Sequence, residues 1–188
     1  MKIGRIILGT TLLGVLTWAG GVSAQNQNDR DDRYGYNQGT SVATSQFLEA
    51  AAEGGMVEVR LGMIARNRAS DPAVRDFADQ MVQDHSQANQ ELRDLAQDKG
   101  WPLPSTLDAD HRMMIRRMRM LGGDDFDRGY MRAMVRDHQQ DVALFRAYAQ
   151  NGDDPDLRAW ARQTLPTLHH QRELAMQTAG TLNAGYRR

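Results

Sequence analysis

No cysteine occurs in the 188 residues of the chain. That excludes disulfides, thiolate nucleophiles and thiolate metal ligands, and also a lipid-modified N-terminal cysteine. Lysine is nearly missing: Lys2 and Lys99 are the only two, and every other side-chain cation is arginine or a protonated histidine. With 23 basic against 24 acidic side chains there is no surplus of positive charge. The chain therefore carries no footprint for nucleic acid and no polybasic face for anionic lipid. It has no Gly-rich phosphate loop, no Gly-x-Ser-x-Gly elbow and no His-Glu-x-x-His motif. No segment alternates as a half-buried strand does, and the ten-residue alternating strands of a membrane barrel are absent too. These absences leave a helical protein stabilised by its core alone, and a role without turnover is the expectation.

The apolar run that does exist is N-terminal. Lys2 and Arg5 precede a mostly apolar stretch to Trp18, and Val22-Ser23-Ala24 supplies small residues before Gln25. This is the pattern of a secretory signal peptide over residues 1–24, too short to span a membrane comfortably as an anchor. The expected product, after cleavage near Ala24, is periplasmic or secreted and has no transmembrane segment. Residues 25–43 are largely Asn, Gln, Asp, Arg, Tyr and Gly. They offer little apolar area to bury and read as a disordered linker.

Helical spacing begins at Ser45, a candidate N-cap, with Phe47, Leu48, Ala51, Gly55, Val59 and Met63 on one face to about Ala69. Gly54, Gly55 and Gly62 each cost this helix about 1 kcal/mol relative to alanine, unless a neighbour needs the space. Asp71-Pro72 is an N-cap followed by proline at the first helical position. It opens a second helix through Phe77, Met81, His85 and Leu92 to Gly100. A long connection, residues 101–123, contains a short helix capped by Thr106 or Asp108. The third long helix starts near Asp124 and ends before Asn151-Gly152. Asp154-Pro155 repeats the start signal for a fourth, which Pro166 should kink and Gly180 should end. The predicted architecture is all-α: a four-helix bundle over residues 44–180, built as two antiparallel hairpins joined by the long connection, with a tail at 181–188.

The phrase Met-Val-x-Asp-His occurs twice, at Met81–His85 and Met134–His138, each near a helix midpoint and with its histidine on the apolar stripe. In an antiparallel bundle the midpoints share one layer. Glu58 lies near the centre of the first helix, and His169 and His170 a little beyond the centre of the fourth. One reading is a transition-metal site, zinc, iron or copper, on Glu58, His85, His138 and His170. The other is a buried polar layer that fixes helix register through pairs among Glu58, His85, His138, Asp84 and Asp137. The usual di-iron set needs Glu-x-x-His on two helices, and Val82 and Val135 occupy those glutamate positions. The methionines of His111–Met120 could serve as soft Cu(I) ligands. Four interspersed arginines repel a cation, so core packing explains them better.

The chain resembles the DUF 4142 family of exported bacterial proteins over about residues 44–180. The resemblance rests on Phe47-Leu48, Ala51 and Glu58-Val59; on Val74-x-x-Phe77-Ala78-x-x-Met81-Val82-x-Asp84-His85; on Asn89-x-Glu91-Leu92; on Phe126-Asp127-x-x-Tyr130; and on His138 and Leu165-Pro166-x-Leu168. It implies a ferritin-like fold and no established activity. It also implies a histidine five residues after the Leu of Leu-Pro. That is His170 or a neighbour by register, while Gln171 lies on the inward line through Thr164, Leu168 and Ala175. Two functions follow as expectations. The first is an exported, non-catalytic envelope binding or stress-related module with an envelope partner, able to form a homodimer through an exposed helix face. The second is a metal-binding bundle on the four residues above.

Overall fold

A computed structural model describes residues 43–185, and all of its regular structure is helical. The expected signal peptide, nearly all of the expected linker, and residues 186–188 lie outside the described residues. Five helices follow in order: α1 Thr44–Arg68, α2 Pro72–Lys99, α3 Ala109–Met120, α4 Gly123–Asn151 and α5 Pro155–Gly185. α1 packs along α2, and α4 along α5. The two pairs meet through α1 against α4 and α2 against α5, while short α3 bridges α1 and α4.

Local chemistry accounts for most boundaries. The Asp71 carboxylate accepts from the Ala73 amide, with Pro72 at the first helical position. Gly100 closes α2 at φ 69°, and the Trp101 amide reaches back to the Ala96 carbonyl at 2.8 Å. That left-handed cap is nearly free only for glycine. Asp108 caps α3 by accepting from the His111 amide, and Asp154 caps α5 by accepting from Asp156 and Leu157. Two expectations need correction. α1 starts one residue before Ser45, and its N-cap is Ala43, without a side-chain bond. α5 runs through Pro166 and past Gly180 to Gly185, so residues 181–185 are helix rather than tail. Leu182 explains the extension, because it packs on the core from beyond the glycine.

The core has two apolar ends. At one, the Phe47 ring stacks on Tyr148 at 4.1 Å and meets Phe145 edge-on at 5.0 Å, with Trp160 beside them. At the other, Leu61, Phe77, Phe126 and Tyr130 are fully buried or nearly so. The glycines of α1 let α2 come close. A β-carbon on Gly62 would lie 2.9 Å from Val82 Cγ2 and 3.1 Å from the Ala78 carbonyl oxygen, and Gly55 abuts Asn89. Gly62→Ala should therefore destabilise the protein by about 1–2 kcal/mol, because overpacking outweighs the gain in helix propensity. Gly180→Ala, with nothing within 4 Å, should stabilise it by up to about 1 kcal/mol. Urea unfolding of both variants checks this; equal shifts of the same sign would refute the close-approach account.

Candidate functional site

Between the apolar ends lies a polar waist. Glu58 of α1, His85 of α2 and His138 of α4 are all buried, at 1, 6 and 0 % exposure. Each sits on the inward stripe of its helix near mid-length, which is why the bundle stacks them in one layer. His85 Nδ1 lies 2.6 Å from Glu58 Oε2, and His138 Nδ1 lies 3.4 Å from Glu58 Oε1. The two rings are 5.6 Å apart, nearly perpendicular, and Phe77 stands edge-on to His138. Each of the three residues can present one ligand atom within 4.8 Å of the others.

The tautomers follow from the partners. His138 Nδ1 is 3.0 Å from the Met134 carbonyl, which can only accept, so Nδ1 carries the proton and Nε2 the lone pair. His85 Nδ1 shares a proton with Glu58 across 2.6 Å, and either atom can hold it. Both Nε2 atoms are buried and complete no hydrogen bond, although the Gln171 side chain approaches both rings closely enough to favour their charged forms. Burial holds both imidazoles below the ordinary histidine range, His138 to about 4, so each is neutral at pH 7. Burial, then the charge of Asp137, pushes the Glu58 carboxyl well above the usual carboxylate range.

His138 sets a pH dependence with a definite sign. Its folded pKa, about 4, lies below the ordinary 6.5, so protons bind the unfolded chain first. The contribution of neutral His138 is intact above pH 6.5 and is lost as pH falls toward 4. Between pH 7 and pH 4.5, wild type should lose on the order of 2–3 kcal/mol more stability than His138→Gln. Paired urea titrations at the two pH values measure it, and parallel losses would refute a buried neutral ring.

His170 does not join the cluster. It is exposed, His169 is half-buried beside Arg146, and Gln171 takes the inward position with no exposure. A step of one residue turns a helix by about 100°, so only one of three consecutive side chains can face the axis. Gln171 Nε2 donates to Asp84 Oδ2 at 2.9 Å, and its Oε1 is buried without a partner. The fourth helix thus offers an amide oxygen where an imidazole was expected.

Three other residues join the waist: Asp137, which the sequence offered only as a pairing partner for the histidines, and Asp141 and Tyr130, which it did not single out for the site. Asp137 and Asp141 of α4 each place a carboxylate oxygen within 4.8 Å of Glu58 and of each other. The Tyr130 hydroxyl is buried without a partner, and burial plus the charges of Glu58 and Asp137 push its pKa well up. The signal was present, since Asp137 and Asp141 flank His138 at helical spacing. A small, narrow cleft is lined by Glu58, His85, Asn89 and Asp141 on its polar side and by Phe145, Trp160 and Leu168 on its apolar side. A second, shallower group forms where α3 meets α1. There His111 Nδ1 is 3.3 Å from Glu53 and 3.1 Å from Asp108.

Fold and cluster together define the class, a helical bundle with a buried carboxylate–imidazole centre. The chain belongs to the family described as domain of unknown function DUF4142, whose model matches residues 35–178. No curated protein matches its sequence. Among solved structures it is similar to a DUF305 fragment from Deinococcus radiodurans, with 19% identity and a TM-score of 0.63, covering 73% of this chain and 95% of that one. It is also similar to CopM in the Cu(II)-bound form, with 17% identity and a TM-score of 0.64, covering 76% and 99%. A third is a DUF305 protein from Streptomyces coelicolor, provisionally described as secreted, at 14% identity and a TM-score of 0.59, covering 71% and 91%. At these identities the likeness shows the fold. No described helix is long and apolar enough to cross a membrane.

Proposed function

We propose that this protein binds a transition-metal ion at Glu58, His85 and His138, and that it is a binding module without turnover, working outside the cytoplasm. The observation that carries the reading is the pair of buried Nε2 atoms without partners, on rings whose Nδ1 atoms are already engaged. A layer that served only to fix helix register would satisfy its own members. Here His85 Nε2, His138 Nε2 and Gln171 Oε1 are all buried and none completes a hydrogen bond. A cation satisfies such atoms directly. Engagement of the far ring nitrogen by a carboxylate or a backbone carbonyl is also how protein ligands to metals are held and made more basic. Glu58 lies on the Nδ1 side of both rings, so it would orient the imidazoles for an ion held at Nε2, and would meet an ion directly only where the rings turn Nδ1 to it. Two imidazoles and a carboxylate suit zinc, iron or copper. The structural neighbour described in its Cu(II)-bound form makes copper the first ion to try.

Export belongs to the same proposal. It is supported by the charged, apolar and small-residue pattern of residues 1–24 and by the neighbour described as secreted. The binding test uses the protein without a His-tag, dialysed against Cu(II), Zn(II) or Fe(II) and then against metal-free buffer. Tightly retained ion is expected in wild type and in His170→Ala, and its loss in His85→Ala and in His138→Ala. A wild type that retains nothing, or a His85→Ala variant that retains as much as wild type, would end the proposal.

A further inference from the structure

Three carboxylates gather at the waist, and Glu58 belongs to both halves of the gathering. One set of ligand atoms within 4.8 Å is Glu58, His85 and His138; another is Glu58, Asp137 and Asp141. The two aspartates are four residues apart on α4, which puts them on one side of that helix. Asp141 is brought against α1 at Gly54, where a β-carbon would stand 3.8 Å from its Oδ1. Among the described residues no arginine or lysine forms an ion pair with Glu58, Asp137 or Asp141.

Acids packed this way without cations are costly. Two buried atoms in this half of the cluster lack partners, and one of them, the Tyr130 hydroxyl, lies outside the ligand set. Asp137 Oδ2 is buried and accepts no hydrogen bond, and the hydroxyl of Tyr130, a residue with no exposure at all, has no partner. One divalent ion on the imidazole side would leave the aspartate pair and these two atoms uncompensated.

We propose that the waist holds two cations, with Glu58 as the carboxylate shared between a His85–His138 position and an Asp137–Asp141 position. This rests on the metal reading above and extends it. The two positions differ in character. The first combines nitrogen and oxygen donors; the second is all oxygen and takes the harder ion of a mixed pair. Two ions sharing a carboxylate stand roughly 3.5–4 Å apart. A small cleft lined in part by Glu58, His85 and Asp141 adjoins the cluster, and the buried Tyr130 hydroxyl would be a donor available beside it.

Cu(II) titration of the untagged protein, followed by metal analysis and electron paramagnetic resonance, tests this. Wild type should retain two equivalents and show the spin-coupled signal of a close pair. Asp137→Asn/Asp141→Asn, which preserves shape, should retain one equivalent with an ordinary isolated Cu(II) spectrum. One equivalent in both proteins overturns the second position and leaves the first standing. Two equivalents in both proteins, or two uncoupled ions in wild type, also overturn it. No retained copper in wild type removes both readings together.

Discussion

Replacing Glu58, His85 and His138 together by leucine should give a metal-free protein at least as stable as wild type, by up to about 4 kcal/mol, that no longer responds to metal. Each of the three is buried, and together they bring a carboxylate and two imidazoles out of water. Their mutual contacts offset that desolvation incompletely, because both Nε2 atoms and Gln171 Oε1 remain unpartnered. Apolar side chains of similar volume remove the debt and the contacts at once. They also relieve Asp137 and Asp141 of a neighbouring charge that Asp141 in particular feels. A single substitution behaves in the opposite way. His85→Leu strands Glu58 without its 2.6 Å partner and should cost about 1–3 kcal/mol. Wild type should regain stability when ion is added, about 2.7 kcal/mol at a hundredfold excess over Kd. The triple variant should gain nothing. Urea unfolding with chelator and with added ion gives both signs, and a triple variant less stable than His85→Leu would contradict the account.

Asp127→Ala should cost roughly 3 kcal/mol without touching the waist. Asp127 is buried on α4, next to Phe126, and its carboxylate serves the turn between α1 and α2. It accepts from the Ser70 amide at 3.0 and 3.1 Å and from the Asp71 amide at 2.8 Å. Arg75 completes the turn by donating to the Ala69 and Ser70 carbonyls. One carboxylate of α4 thus holds the turn of the other hairpin, beside Arg68, which lies over the Phe126 ring. Alanine would leave two backbone donors and the start of α2 unsupported. Asparagine, which keeps one acceptor oxygen, should cost less. Metal retention by the folded variant should match wild type, which separates this residue from the site. A loss below about 1 kcal/mol in chelator would show that water replaces the carboxylate without penalty.

Asp127 also shows where sequence reading stops. Its phrase, Phe126-Asp127-x-x-Tyr130, is visible in the chain, yet nothing local says that the carboxylate reaches a turn more than fifty residues away. Local signals did better. Asp71-Pro72, Asp154-Pro155, Asp108 and Gly100 act within their own helix ends, and each lies where its chemistry predicts. The meeting of Glu58, His85 and His138 was legible because three inward stripes with matched midpoints leave little choice of layer. The partners beyond them were not. His170 and Gln171 differ by one step of helix phase, which the continuous turn of α5 through Pro166 fixes and a sequence pattern does not. Asp137 and Asp141 lie beside the apolar stripe, and their inward approach depends on how closely α1 lies, where Gly54 has no side chain. Tyr130 counted as core from its spacing; that its hydroxyl lacks a partner is a fact of packing alone.

The most direct measurement is an anomalous diffraction map from a crystal of the protein grown without chelator and soaked in Cu(II) or Zn(II). The account predicts a peak at the waist, within about 2.0–2.2 Å of a ring nitrogen of both His85 and His138. A peak confined to His111 or to the exposed methionines, or an empty waist beside occupied surface sites, would contradict it.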